Sequence, residues 1–296
     1  LRGGGGIIKA LNKTAQRKKM GKEIKREKWT TTTNKGWREM QFSKFRDFKF
    51  ENKSGRYIDE LLKSLSNKET TTERFWEILK DCELYMTNFE KFNDIDEGRY
   101  SFTEDSNIDT QKTEDAKNKR NICSFSYFED LEDLNDRQCS ETLMWAHYGG
   151  SHYGIRIDFK IHTSYKGNIY KIGYIESYEQ NRQTYKSQKE LLNDIERILT
   201  TKKPCFKYEC EYRAISSSTE KLPIIIDKIT LGRRFTKENV YSQENEERSF
   251  SDDIKNLAKE ILKVWKTGVK RGDREPEIWA YKTRYSKEPK KVEIEI

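Results

Sequence analysis

No uninterrupted apolar stretch in this chain is longer than the five residues Leu222 to Ile226. A helix that crosses a bilayer needs about 20 such residues. The fold is therefore expected to use short, one-sided elements, with no membrane partner. Apolar residues make up 33% of the 296 positions and charged residues 36%. Aromatic residues, at 12%, set the chain apart from disordered sequences of similar charge. The length suits one large domain or two small ones.

Charge is unevenly distributed. Residues 1–40 carry 12 Lys/Arg and 3 Asp/Glu, a net of +9, while the other 256 residues carry 46 and 47, a net of −1. A polybasic tail attracts phosphate backbones in a salt-dependent way. The tail also holds a Gly3–Gly6 run and a Thr30–Thr33 run. Residues 1–39 are therefore expected to be a non-native or disordered extension outside the fold. Residues 40–296 are expected to form one α+β domain. The five cysteines are odd in number and form no Cys-x-x-Cys pair. With no signal-peptide pattern, they predict a reduced, cytoplasmic chain without a disulfide framework, structural zinc or another metal.

Periodicity predicts the elements. Met40 opens a first strand through Phe42, Phe45 and Phe48. Helices are expected over 56–66, with Leu61, Leu62 and Leu65 at helical spacing, and from Glu73 to Asp81. Glu83 to Thr87 reads as a strand, and Thr103 to Arg120 as a polar surface insertion. Ile122 to Phe128 is a strand. Ser140 to Tyr148 is a helix with Ser140 as its cap, stopped by Gly149 and Gly150. Strands follow at Tyr153–Phe159, Ile169–Ile175, Glu211–Ile215, Ile224–Leu231, Ile278–Tyr285 and Val292–Ile296. Amphipathic helices cover 187–200 and 252–266. Helices early and strands late predict an α+β fold, a curved, mostly antiparallel split sheet with flanking helices. A Rossmann or P-loop enzyme is not expected, because neither glycine-rich loop is present.

Three clusters could carry chemistry. Met144 to Gly154 holds Trp145, His147, Tyr148 and His152, either a pocket wall of rings and imidazoles or a buried aromatic hinge. The five-residue histidine spacing across a glycine break is not that of a helical zinc pair. Tyr208 to Arg213 puts Glu209, Glu211 and Arg213 on one face if the segment is a strand. Paired carboxylates repel, so one has a raised pKa and can transfer protons. A solvated carboxylate–arginine ladder fits the same residues. Thr87 and Asn88 precede Phe89 to Asp94, where Asn93-Asp94 could simply close a turn.

Taken in order, "LYMTNFEKFNDIDEG", "ICSFS", "LMWAHYGGSHYGIRIDF", "KYECEYRAI" and "IDKITLGRR" resemble a bacterial family known as domain of unknown function 2971. The likeness runs from about Met40 to Ile296. Ile95 replaces the proline that follows Asn-Asp in that family. Its motif order is in turn similar to that of the ADP-ribosyltransferases. The resemblance implies NAD as substrate, no metal, and a nucleic-acid or protein acceptor. A toxin or antiviral effector, with a cognate antitoxin, is also implied. Glu211 would hold the ribose and its developing positive charge, and Glu209 would orient or deprotonate the acceptor. Arg46 with Lys44 would grip the pyrophosphate, and Thr87 with Asn88 would support the ribose or Glu211. Trp145, His147, Tyr148 and His152 would line the nicotinamide or acceptor side. The alternatives are a non-enzymatic nucleic-acid- or partner-binding protein of the same family, or a hydrolase that uses the two carboxylates without NAD.

Overall fold

Alternating side chains give the first strand two unlike faces, and the whole architecture follows from that. The computed structural model describes residues 36–48, 57–63, 73–92, 98–175, 184–236, 249–269, 272 and 274–294. The strands, in chain order, are β1 (Phe42–Arg46), β2 (Glu83–Tyr85), β3 (Thr87–Asn88), β4 (Ser101–Phe102), β5 (Asn121–Ser126), β6 (Ile155–Ile161) and β7 (Asn168–Lys171). They continue as β8 (Gly173–Tyr174), β9 (Thr184–Tyr185), β10 (Thr201–Lys202), β11 (Glu211–Ser216), β12 (Lys221–Leu231), β13 (Glu277–Ala280) and β14 (Lys290–Lys291). The helices are α1 (Tyr57–Lys63), α2 (Glu73–Asp81), α3 (Thr110–Asn118), α4 (Leu134–His147), α5 (Gln188–Asn193), α6 (Ile195–Ile198) and α7 (Asp252–Thr267). The central sheet has the order β14-β13-β12-β6-β1-β5-β11-β7, with β2 added to β12 and β3 to β5. All its pairings are antiparallel except β12 with β13, so it is a mostly antiparallel, mixed sheet in an α+β fold.

One face is apolar. Phe42 packs on Phe125 at 4.7 Å between ring centres and on Tyr212 at 5.6 Å. Ile155, Ile157, Phe159, Ile229 and Ile278 extend this surface across the sheet. α2 and α7 cover it with Phe75, Ile78, Leu79, Leu257, Ile261 and Trp265. Ser251 starts α7, its hydroxyl accepting from the Ile254 amide at 3.4 Å.

The other face is mixed. Phe45 meets Phe128, Met144 and Trp145 under α4, and Ile122 and Ile215 meet Leu191, Ile195 and Leu199 of the α5–α6 region. Between these patches lie polar groups. Arg156 of β6 holds Glu141 of α4 at 2.7 Å, which fixes the helix on the sheet, and Ser43 donates to the buried Asp158 at 2.6 Å.

Residues 32–296 cluster as one compact unit. Trp37 is 1% exposed and packs edge-on to Tyr165, so the domain begins before the expected boundary at residue 40.

Several expected elements differ. The polar insertion contains α3, capped by Asp109, whose carboxylate accepts from the Lys112 amide at 3.0 Å. α4 starts at Leu134 with Asp133 as its cap, and Ser140 is a buried mid-helix residue. The helix over 187–200 is broken at Asp194 into α5 and α6. The last expected strand, Val292–Ile296, is not a strand over its described residues 292–294; the final strand is Lys290–Lys291, just before it. Leu65, Asn93, Asp94 and Ile95 lie outside the described residues.

Candidate active site

Glu209 does not belong to a strand. It ends a 3-10 turn, Pro204–Glu209, and Cys210 then takes a left-handed conformation (φ 45°, ψ 46°) before β11 begins at Glu211. Alternation therefore does not relate the two carboxylates. They meet on a cation instead. Lys202 Nζ lies 2.6 Å from Glu209 and 3.0 Å from Glu211. The short parallel ribbon of β8 with β10 positions it, and Tyr174 of that ribbon accepts from the Glu211 amide at 3.2 Å. Arg213, two residues along β11 on the same face, approaches Glu211 through Nε at 2.7 Å and also donates to the Leu199 carbonyl.

The four charged residues are nearly out of solvent: Lys202 is 6% exposed, Glu209 3%, Glu211 4% and Arg213 1%. Burial alone would push both carboxyls upward. At Glu211 the charges of Arg213 and Lys202, with hydrogen bonds from Arg213 and Ser124, outweigh it and hold the carboxyl far below its usual range. At Glu209 burial wins, reinforced by the negative charge of Glu211 and only partly offset by Lys202 and Tyr148. The pair is thus split into an acid held in its ionised form and one that takes up a proton more readily.

Glu209 also accepts from a partly exposed side chain. Tyr148, 40% exposed at the end of α4, donates its hydroxyl to Glu209 Oε1 at 2.6 Å. His147 and Tyr208 stand beside it with rings 5.8 Å apart. These rings lie beside the Tyr148–Glu209 hydrogen bond.

The segment after α4 is strained. Gly150, Ser151 and His152 have successive φ values of 56°, 52° and 69°. His152 turns its ring onto Trp145, stacked at 4.8 Å, and away from the carboxylates. Burial, with the nearby charges of Arg233 and Arg234, lowers its pKa to about 4. Trp145 itself is buried against Phe45.

The structure brings together Glu209, Glu211 and Tyr148, with His147 beside Tyr148 and Trp145–His152 packed behind. It does not bring in the remaining candidates. Lys44 and Arg46 register with Ile157 and Ile155, so they point to the apolar face, whereas Glu211 registers with Ser126 on the opposite face. Lys44 donates to the Ser124 carbonyl, and burial lowers its pKa, offset in part by Cys123 and, through the sheet, by the charges of Glu211 and Glu209. Arg46 has a buried Nε without a hydrogen bond. The expected convergence of this guanidinium and Glu211 in one cleft is therefore corrected: the sheet stands between them. Thr87 and Asn88 pair with Ile122 and Asn121, at the other end of β5 from the Glu211 register. That is a separation of about 13 Å for four strand residues. Asn88 caps a 3-10 turn, accepting from the Glu90 amide at 3.1 Å and donating to the Asn118 carbonyl. It serves the turn rather than a ribose.

Lys202 and Tyr174 are the participants that sequence reasoning missed. Nothing distinguishes Lys202 from its neighbour Lys203 in the chain; only the ribbon with β8 turns it inward.

Residues 144–214, which span the Tyr148 helix end, the strained turn and both carboxylates, match a family described as Protein of unknown function (DUF2971). No curated protein and no solved structure matches the chain.

Proposed function

We propose that the chain cleaves the nicotinamide–ribose bond of NAD and transfers ADP-ribose, with Glu209 as the group that moves the proton. The observation that carries this reading is the Glu209 carboxyl, raised in pKa and joined at 2.6 Å to the hydroxyl of a partly exposed tyrosine. In the proposed step the bond from ribose C1′ to the nicotinamide nitrogen breaks and nicotinamide leaves with the electron pair. C1′ then bonds to an acceptor oxygen or nitrogen, whose proton passes to Glu209. The ribose carries positive charge in the transition state, as in glycoside hydrolysis, and in this reading the ionised Glu209 carboxylate, not the net-neutral cluster around it, would favour that state over the ground state. Tyr148, Tyr208 and His147 would meet the nicotinamide or acceptor ring.

Glu211, already ion-paired on both sides, is a positioning residue: its charge keeps the Glu209 pKa high and anchors Lys202. Arg46 and Lys44, on the other sheet face, take no part. Exposed Lys207, on the turn that carries Glu209, is the cation we assign to the pyrophosphate. An ADP-ribosyltransferase-like form of the sheet belongs to the same proposal, and the toxin or antiviral role rests on the resemblance alone.

The test is nicotinamide release from NAD by the full chain, with protein and nucleic-acid acceptors supplied in turn. Release is expected, and Glu209→Gln should lower it about 10²- to 10³-fold. No release with any acceptor, or equal release by the variant, contradicts the reading.

A further inference from the structure

A second feature lies far from these carboxylates in the fold. α7, the β12–β13 edge and residues 290–294 enclose an open groove of about 1180 Å³. Pockets for small molecules occupy about 300–1,000 Å³, so the groove has room for an extended chain. Seven lysines and arginines line it against four carboxylates. Two of those carboxylates are committed: Glu275 to Lys266 at 2.9 Å, and Glu277 to Lys291 at 3.0 Å. Lys160, also in the lining, faces Asp227 and its charge partly offsets the upward push of burial on that carboxyl.

Lys259, Lys263 and Lys266 follow one another along the exposed side of α7. Lys263 is neutralised within the helix by Glu260 at 3.3 Å and Lys266 by Glu275, which leaves Lys259 as the member of this row available to an outside anion. Trp279 sits in the same lining, half-buried, with Lys228 Nζ 5.2 Å from its ring centre. The apolar floor is mostly closed, since Ile226, Ile278 and Val292 are each 3% exposed or less. Leu262 and Ile294 are only partly buried, so the reachable surface combines lysines and one flat ring with some apolar area.

We infer that this groove binds single-stranded nucleic acid, its lysines tracking the phosphates and Trp279 stacking on a base. Backbone cations plus an aromatic platform are what sequence-tolerant single-strand binding uses. The inference is independent of the NAD reading, because no groove residue belongs to the carboxylate site.

The experiment is fluorescence anisotropy of a labelled oligothymidylate of about 20 nucleotides with the full chain, titrated between about 50 and 200 mM salt. Lys259→Glu with Lys263→Glu, both on an exposed helix surface, should weaken binding more than tenfold. The pair should also reduce the log–log salt slope by about 1.4, at about 0.7 per lost single-strand contact. Trp279→Ala should weaken binding roughly tenfold and leave that slope unchanged. Three results would each overturn the inference. The first is no binding at the lowest salt. The second is unchanged affinity in the lysine variant, which would move binding to the basic segment 1–40. The third is displacement by polyglutamate as effective as by unlabelled oligothymidylate, which would indicate an acidic protein partner.

Discussion

At the scale of single residues, the account turns on how one lysine and one arginine divide two buried acids. Removing Arg213 would take one of the two counter-ions from Glu211 in a nearly dry site, leaving Lys202 and the Ser124 hydrogen bond. A buried pair broken on one side costs about 3–5 kcal/mol. Arg213→Ala should lose stability on that scale, read from its urea midpoint. The same ionisation has a pH signature. The folded-state pKa of Glu211 is depressed, so its contribution is complete above its unfolded value near 4.3 and is lost as pH falls below it. Glu209, raised, has the opposite sign. Between about pH 5 and 3 the parent should therefore lose more stability than Glu211→Gln; equal slopes would contradict the assignment. His152 provides a separate check. With its pKa lowered to about 4, its ring is neutral at neutral pH, and an NMR titration should find a midpoint near that value. A midpoint above the usual histidine value near 6.5 would mean that the stacked, arginine-flanked placement is wrong.

At the scale of elements, the strained turn after α4 depends on missing side chains. A Cβ on Gly154 would stand 1.9 Å from the Arg46 carbonyl oxygen, and one on Gly150 would stand 2.0 Å from an Asp47 oxygen. The Gly154 contact is with backbone, which cannot rotate away. Gly154→Ala should cost about 1–3 kcal/mol, seen as a lower melting temperature. α2 and α7 were legible in the sequence because their apolar residues repeat at helical spacing, and both bury those residues. α3 was not. It buries Thr113 and Lys117, and the lysine ammonium is satisfied by the Gly98 carbonyl and the Phe89 ring, so no apolar stripe marked it. The site was legible as a set of residue types. The Glu209–Glu211 pair and the Trp-Ala-His-Tyr segment do meet, through the Tyr148–Glu209 bond. Their geometry was not legible, because the left-handed Cys210 breaks the strand rule that would have placed Glu209.

At the scale of the whole molecule, the sheet works as a partition. It has hydrophobic packing under α2 and α7 and a buried ionic cluster beyond β11. Arg46 and Glu211 appear alike as charged strand residues in the sequence. Their opposite faces follow only from the register of β1 and β11 through β5. The central claim is that Glu209, held between Lys202 and Tyr148, takes a proton during turnover of NAD. The most direct test is the pH dependence of kcat/KM for nicotinamide release by the parent and by Lys202→Met. The account predicts a rate that rises with pH through the elevated Glu209 pKa, and a limb that moves to higher pH once the neighbouring cation is gone. A rate independent of pH in the parent, or a limb that stays in place without Lys202, would contradict it.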